Sequence, residues 1–267
     1  MPEGDTVWRA ARTLDRALAG HVLTASDFRV PQLATADLTG SRVVCTLSRG
    51  KHLLTRFQGA EPGTDWTLHT HLKMEGRWEI YTPGQRWRRP AKEARVVLST
   101  DERVVVGFSL GIVELVPRHE EQRIVGHLGP DLLGPDWDEE EALRRLRQDA
   151  SMPLGEALLD QTSLAGIGNM YASELCFTSG VHPLTPVGEV SELRRLVRRA
   201  RQMLELNKER AEQTTTGDLR RGRRMWVYRR DAQPCLRCQT PIQVHMQGEP
   251  GRERAKYWCP SCQPAPG

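Results

Sequence analysis

Residues 42–72 read RVVCTLSRGKHLLTRFQGAEPGTDWTLHTHL. Three runs stand out, RVVCTL (42–47), HLLTRF (52–57) and WTLHTHL (66–72). Each is rich in β-branched, leucine or aromatic residues, and Gly, Pro and acidic residues between them favour turns. Runs this short, with no room for helices between them, predict successive strands. The texture continues through ARVVLS (94–99), RVVVGF (103–108) and IVELV (112–116), and many short strands in a row predict a β-sandwich or barrel. Upstream, DTVWRAARTLDRALA (5–19) carries Val7, Trp8, Ala11, Leu14 and Leu18 at helical spacing, with Gly20 placed to end a helix. Beyond Pro117 the pattern turns helical, in EEEALRRLRQ (139–148), LGEALLD (154–160), MYASELCFTSG (170–180) and SELRRLVRRARQMLEL (191–206). TTTGDLRRGRR (214–224) reads as a polar, basic connection, expected to be mobile without a partner. The predicted class is therefore α+β multidomain: an N-terminal helix plus β-sandwich over 1–118, a helical domain over 119–226, and a cysteine-bearing module over 227–267.

The chain has 267 residues, 38% of them hydrophobic, which suffices for folded cores. No apolar run approaches the ~20 residues that cross a bilayer, so no membrane partner is expected. The N-terminus lacks a basic stretch followed by an apolar one, so the expected address is the cytoplasm. Net charge is only +4, but 33 of the 38 cations are Arg, whose planar fork of donors suits phosphate. Thirteen cations face four acids between Arg194 and Arg230, whereas nine acids face three arginines between Asp131 and Asp160. That polarity predicts a basic face for a polyanion and an acidic region turned away from it.

Cys235-Leu-Arg-Cys238 and Cys259-Pro-Ser-Cys262 lie 20 residues apart. Two such knuckles supply four thiolates for one tetrahedral, structural zinc, and the segment between them, with QVHM and KYW flanking QGEPGRER, reads as a β-hairpin. Disulfides or a redox pair are the alternatives, and a cytosolic chain disfavours the first. At the other end, removal of Met1 exposes Pro2 as a secondary amine. An α-amine titrates near pH ~8, so part of it is nucleophilic at neutral pH. Attack on a sugar aldehyde carbon gives an iminium that acidifies the neighbouring C–H, with Glu3 placed as proton donor or acceptor. By itself, Pro2-Glu3 is also an ordinary helix start.

Met1-Pro-Glu-Gly, Ser48-Arg-Gly-Lys51-His-Leu-Leu, His71-Leu-Lys-Met74-Glu-Gly-Arg-Trp, Leu159-Asp-Gln-Thr-Ser-Leu-Ala-Gly-Ile-Gly-Asn169-Met-Tyr-Ala-Ser-Glu and Tyr257-Trp-Cys-Pro-Ser-Cys-Gln follow one another in order. This series resembles the formamidopyrimidine-DNA glycosylase / endonuclease VIII family of bifunctional base-excision repair enzymes over nearly the whole chain. Details such as Leu-Leu-Asp-Gln and Tyr-Trp-Cys-Pro resemble its endonuclease VIII branch. The resemblance implies a helix–two-turn–helix domain, a zinc β-hairpin finger, and glycosylase plus lyase activity ending in β,δ-elimination on damaged DNA, with duplex the expected partner and bubble or single-stranded DNA tolerated. It implies Pro2 as Schiff-base nucleophile, Glu3 as acid/base and Lys51 as the catalytic lysine at a phosphate. Met74 becomes the wedge that fills the gap left by an everted base. Asn169 becomes a phosphate contact besides a helix cap, and Arg254 the finger residue that reaches the backbone, with Arg252 its neighbour. Resemblance to the endonuclease VIII branch implies oxidised pyrimidines as the lesions, and the absence of an Arg–Phe pair after the last strands predicts little discrimination of the opposite base. One zinc per chain, a monomer and a nucleoid-associated cytoplasmic enzyme complete the expectation. Departures are Asp5-Thr6, where the family often has Pro-Glu, and the charged Lys73 and Glu75 beside the wedge. The rival readings are a non-catalytic zinc protein that binds damaged DNA, and a zinc-ribbon RNA binder, which leaves Pro2, Glu3 and Lys51 unexplained.

Overall fold

A computed structural model, describing residues 2–59, 61, 63–248, 250–251 and 253–266, turns the N-terminal amphipathic run into helix α1 (Gly4–Leu18). Val7, Ala11, Leu14 and Leu18 form its buried stripe and Gly20, at φ +82°, stops it. Met1 and Arg252 lie outside the described residues. Eight strands follow: β1 (Ala25–Phe28), β2 (Arg42–Arg49), β3 (His52–Gln58), β4 (Trp66–His71), β5 (Arg77–Tyr81), β6 (Ala94–Ser99), β7 (Val104–Phe108) and β8 (Ile112–Pro117). They form two antiparallel four-stranded sheets, ordered β1-β6-β7-β5 and β2-β3-β4-β8. One core takes Leu53, Phe57 and Leu68 from one sheet, Phe28, Val96, Leu98 and Val105 from the other, and the stripe of α1. This is the expected sandwich with its helix. The short helix α2 (Glu121–Val125) is fastened to the sheet by Glu121, which accepts from both Arg56 Nε (2.9 Å) and Thr67 Oγ1 (2.8 Å). These elements belong to a compact unit that ends at His127.

A second unit starts at Leu128 and holds α3 (Glu139–Leu146), α4 (Leu154–Ala157), α5 (Asn169–Ser179), α6 (Leu193–Asn207) and the hairpin β9 (Gln243–Gln247)–β10 (Arg254–Trp258). Leucines and valines of α3, α4 and α6 pack around a fully buried stretch of α5. The cysteine module sits in this same unit. Phe177 of α5 packs with Val227, Cys235, Ile242 and Cys259, and Arg237 lies 4.6 Å from the Phe177 ring centroid. No helix among the described residues is long and apolar enough to cross a membrane.

Two expectations are corrected here. The acidic and basic stretches do not face apart. Arg194 and Arg198 of α6 bind Glu139 of α3 at 2.7 and 2.9 Å, and Arg194 also pairs with Glu140. Further along, Asp218 binds Arg220 (2.7 Å) and Arg223 (3.1 Å), so much of the basic charge is compensated within the unit. Nor is 214–224 a loose connection. Asn207 donates to the Thr214 carbonyl and accepts from its N–H, and Thr216 Oγ1 donates to the Arg223 carbonyl at 2.6 Å. Thr and Asn side chains add to the backbone hydrogen bonds that Thr215 and Thr216 N–H make to the Arg224 carbonyl.

Candidate active site

Glu3 immediately precedes α1 and is fully buried, with Pro2 half-buried before it. Lys51 sits in the two-residue turn between β2 and β3. Gly50, at φ +58°, takes the corner that needs left-handed backbone, and Arg49 pairs with His52 across the turn. Side chains alternate between the two faces of a strand, so register decides what Lys51 meets. Leu53 and Phe57 turn into the core. The opposite face carries His52, paired across from His71, and His69, paired across from Glu114.

These groups are joined. His69 Nδ1 lies 2.8 Å from Glu114 Oε2, and His69 Nε2 lies 2.8 Å from His52 Nδ1. Because a carboxylate only accepts, His69 Nδ1–H must donate to Glu114. Neutral His69 then accepts from His52 Nδ1–H, which leaves His52 Nε2 with its lone pair. His71 is edge-on to His52 at 5.3 Å and His127 at 6.5 Å. Burial, then the charges of His69, His71, His127 and Lys51, push His52 down to about 3. Burial, then Lys73, Lys51 and His69, push His71 down to about 4. Burial also lowers His69, opposed by Glu114. The sequence reading quoted these strands but missed the cluster; His-Thr-His in one strand, two residues apart, was the available signal.

Met74 lies on the turn between β4 and β5 and is 58% exposed, a free apolar side chain on a tight turn. Glu75 beside it is also exposed, and Lys73 has φ +51° with its N–H donating to His71 Nδ1 at 2.9 Å. Only Ser109, Leu110 and Gly111 link β7 to β8, and Phe108 is buried against Trp87.

In the second unit Asn169 is not the helix cap. Gly168 holds that position, and Asn169, the first helical residue, turns its amide to the finger strand. Its Nδ2 donates to the Ala255 carbonyl at 2.8 Å, and fully buried Lys256 donates from Nζ to its Oδ1 at 2.9 Å. Arg254, exposed, opens β10 on the residue before Ala255. One turn of α5 further on, Glu174 is fully buried and accepts from the Trp226, Val227 and Tyr228 N–H groups, each at 2.8 Å, and from Thr215 Oγ1. Burial pushes its carboxyl above the ordinary range against those bonds. Neither Lys256 nor Glu174 was singled out from the sequence.

The Sγ atoms of Cys235, Cys238, Cys259 and Cys262 lie within 4.8 Å of one another, and the 3.3 Å pair, Cys238–Cys259, runs between knuckles. Four ligands at ~2.3 Å around a tetrahedral zinc need comparable sulfur spacings. The four can hold a metal. Hydrogen bonds from Thr240 hold Cys238 down to about 6, whereas burial and its neighbours push Cys262 up to about 12. Cys176, on α5, is buried and pushed up to about 12 as well, which suits a small hydrophobe.

Residues 1–109 match the formamidopyrimidine-DNA glycosylase N-terminal domain, and residues 128–218 match the formamidopyrimidine-DNA glycosylase H2TH domain. The chain is 55% identical to the probable endonuclease 8 2 of Streptomyces coelicolor, covering 100% of this chain and 95% of that one. The chain belongs to the formamidopyrimidine-DNA glycosylase / endonuclease VIII family. It is also 49% identical to endonuclease 8 2 of Mycobacterium tuberculosis (98% and 100% covered) and 48% identical to the DNA-(apurinic or apyrimidinic site) lyase Nei2 of Mycolicibacterium smegmatis (99% and 100%). In three dimensions it matches Lactococcus lactis Fpg, solved with abasic-site DNA, with a TM-score of 0.79 at 22% identity over 98% of this chain and 100% of that one. That likeness establishes the Fpg fold, with the two matched domains and the Cys-bearing hairpin in chain order.

Proposed function

We propose that this member of the family is a bifunctional DNA glycosylase and AP lyase of base-excision repair, acting on oxidised bases, pyrimidines first. The full-length match to relatives named endonuclease 8 and DNA-(apurinic or apyrimidinic site) lyase carries the reading. Pro2, freed of Met1, attacks C1′ of an everted nucleotide, which is out of reach inside an intact duplex. The C1′–N bond to the base breaks and the base departs with a proton; the C1′–O4′ bond then opens, O4′ takes up the proton that the Pro2 nitrogen gives up, and an iminium links enzyme and sugar. Glu3, buried beside it, exchanges protons there. Lys51 holds the adjacent phosphate. Two eliminations then expel the 3′ and 5′ phosphates. Met74 fills the vacated stack, and Asn169 and Arg254 grip the backbone. Cys235, Cys238, Cys259 and Cys262 would hold one structural zinc, which would supply folding energy to the finger. The functional divisions are 1–118, 119–226 and 227–267, in a monomer working on the nucleoid.

Borohydride reduction with abasic-site DNA tests this. A covalent adduct on Pro2, identified by mass spectrometry and lost in Pro2→Gly or in protein that retains Met1, is the expected result. Undiminished trapping by the Met1-retaining form would refute the nucleophile.

A further inference from the structure

The hydrogen-bonded series Glu114–His69–His52 has the geometry of a proton wire. Its outer end, Glu114, is 52% exposed; its middle, His69, is 3% exposed; its inner end is half-buried beside Lys51. Each link spans 2.8 Å and each lies between neighbouring strands of one sheet, so the backbone ladder fixes the spacing. The tautomers run one way, ending on an unprotonated Nε2 at His52.

We propose that Glu114, His69 and His52 form a proton relay for the elimination steps, with His52 as the catalytic end and His69 and Glu114 as positioning residues. The proposal rests on the lyase reading above. When the C2′–H bond of the iminium breaks, its electron pair becomes the C1′–C2′ double bond and neutralises the iminium nitrogen. The proton passes to His52 Nε2, His52 Nδ1–H moves to His69 Nε2, and His69 becomes an imidazolium against the Glu114 carboxylate. The enamine then breaks the C3′–O bond, expels the 3′ phosphate and regenerates the iminium. The proton leaves from His69 by way of the solvent-exposed carboxylate.

The surroundings give the wire its direction. His52 faces the charges of Lys51, from the β2–β3 turn, and of His69, His71 and His127, while Lys73 bears on His71. Burial and these neighbours disfavour a proton on His52, whereas at His69 the Glu114 carboxylate opposes the burial, so the proton moves outward along the wire. Phosphates at Lys51 offset part of that positive field, so the relay engages when DNA is bound.

The test separates Schiff-base formation from elimination, using single-turnover nicking and borohydride trapping on abasic duplex DNA across pH. Glu114→Gln keeps an acceptor for His69 Nδ1–H but removes the charge, on a half-exposed side chain whose loss spares the core. It should trap like the wild type, nick about tenfold more slowly, and shift the acidic limb of the nicking profile. His52→Gln should trap normally and nick about 10²-fold more slowly, the lower end of what a positioned base contributes. Nicking rates and pH profiles identical to wild type in both variants overturn the relay. So does a parallel loss of trapping and nicking, which assigns the cluster to DNA binding. If the wild type itself fails to trap, the lyase reading falls instead.

Discussion

Asn169 is fixed at both ends of its amide, donating to the Ala255 carbonyl and accepting from the Lys256 ammonium. With those two bonds the amide plane has a set direction, which suits the phosphate contact proposed for it. Lys256→Met preserves length and apolar packing but removes the donor. It should weaken abasic-DNA binding by about 1.5 kcal/mol, roughly tenfold, which fluorescence anisotropy measures. If Lys256 acts by positioning Asn169, the salt slope of binding stays unchanged; a slope flattened by about one unit would show direct phosphate contact instead. The histidines of the sandwich predict a pH effect of definite sign. His52 and His71 sit at about 3 and about 4 against an ordinary 6.5. Below 6.5 the unfolded chain therefore binds protons that the folded unit refuses. Stability is full above neutrality and falls as pH drops from 6.5 toward 4, each histidine adding at most ~1.4 kcal/mol per pH unit before solvent screening. Urea midpoints measured across that range should decline, and less steeply in His52→Gln.

At the scale of elements, α5 is the junction of the second unit. Its hydrophobicity is spread all round, as fits a helix buried on every side, and Glu174 is the charge it carries inward. That carboxylate gathers three successive N–H groups at the entry to the finger. Glu174→Ala leaves all three without their acceptor in a dry site and should cost on the order of 3 kcal/mol or more, read from chemical denaturation, with Glu174→Gln intermediate. A shift below 1 kcal/mol in the alanine variant would mean that water takes over the role. Nothing local announced this residue, because its partners lie about fifty positions along the chain. The strands and helices with strong periodicity were legible, from HLLTRF to LRRLVRRARQMLEL. β1 and β5 were not, since ASDF and RWEIY bury too little to show a pattern and are strands because β6 and β7 pair with them. Contiguous site motifs were legible for the same local reason: a turn carries Lys51 and two knuckles carry the cysteines. The Glu114–His69–His52 cluster and the Lys256–Asn169 tie were not, because register and tertiary packing, rather than adjacency, bring their members together.

For the whole molecule, a net charge of +4 understates how selectively cations are used. Arginines of α6 are committed to the glutamates of α3, so the surplus that can meet a polyanion is smaller than the run from Arg194 to Arg230 suggests. Affinity should then depend on a few fixed contacts, and discrimination on what replaces the everted base. Here the two sources of intruding side chains differ. The β4–β5 turn presents Met74, exposed and apolar. The β7–β8 link is three residues long, and both its Leu110 and its neighbour Phe108 are buried, so it presents no exposed side chain of the size needed to fill the opposite side of the void and read the orphaned base. An apolar wedge without hydrogen-bond donors fills space and scarcely distinguishes bases, because specificity for a base edge requires matched donors and acceptors. Excision should therefore vary by less than about tenfold, within the ~1.4 kcal/mol that separates tenfold rates, among the four bases opposite a given lesion. It should persist on bubble DNA, and oxidised pyrimidines such as thymine glycol should be removed ahead of 8-oxoguanine. A panel of lesion oligonucleotides, each paired with every base and also unpaired, measures all three. Preference for 8-oxoguanine opposite cytosine would require an opposite-base reader, and the search for it would have to leave the β7–β8 link.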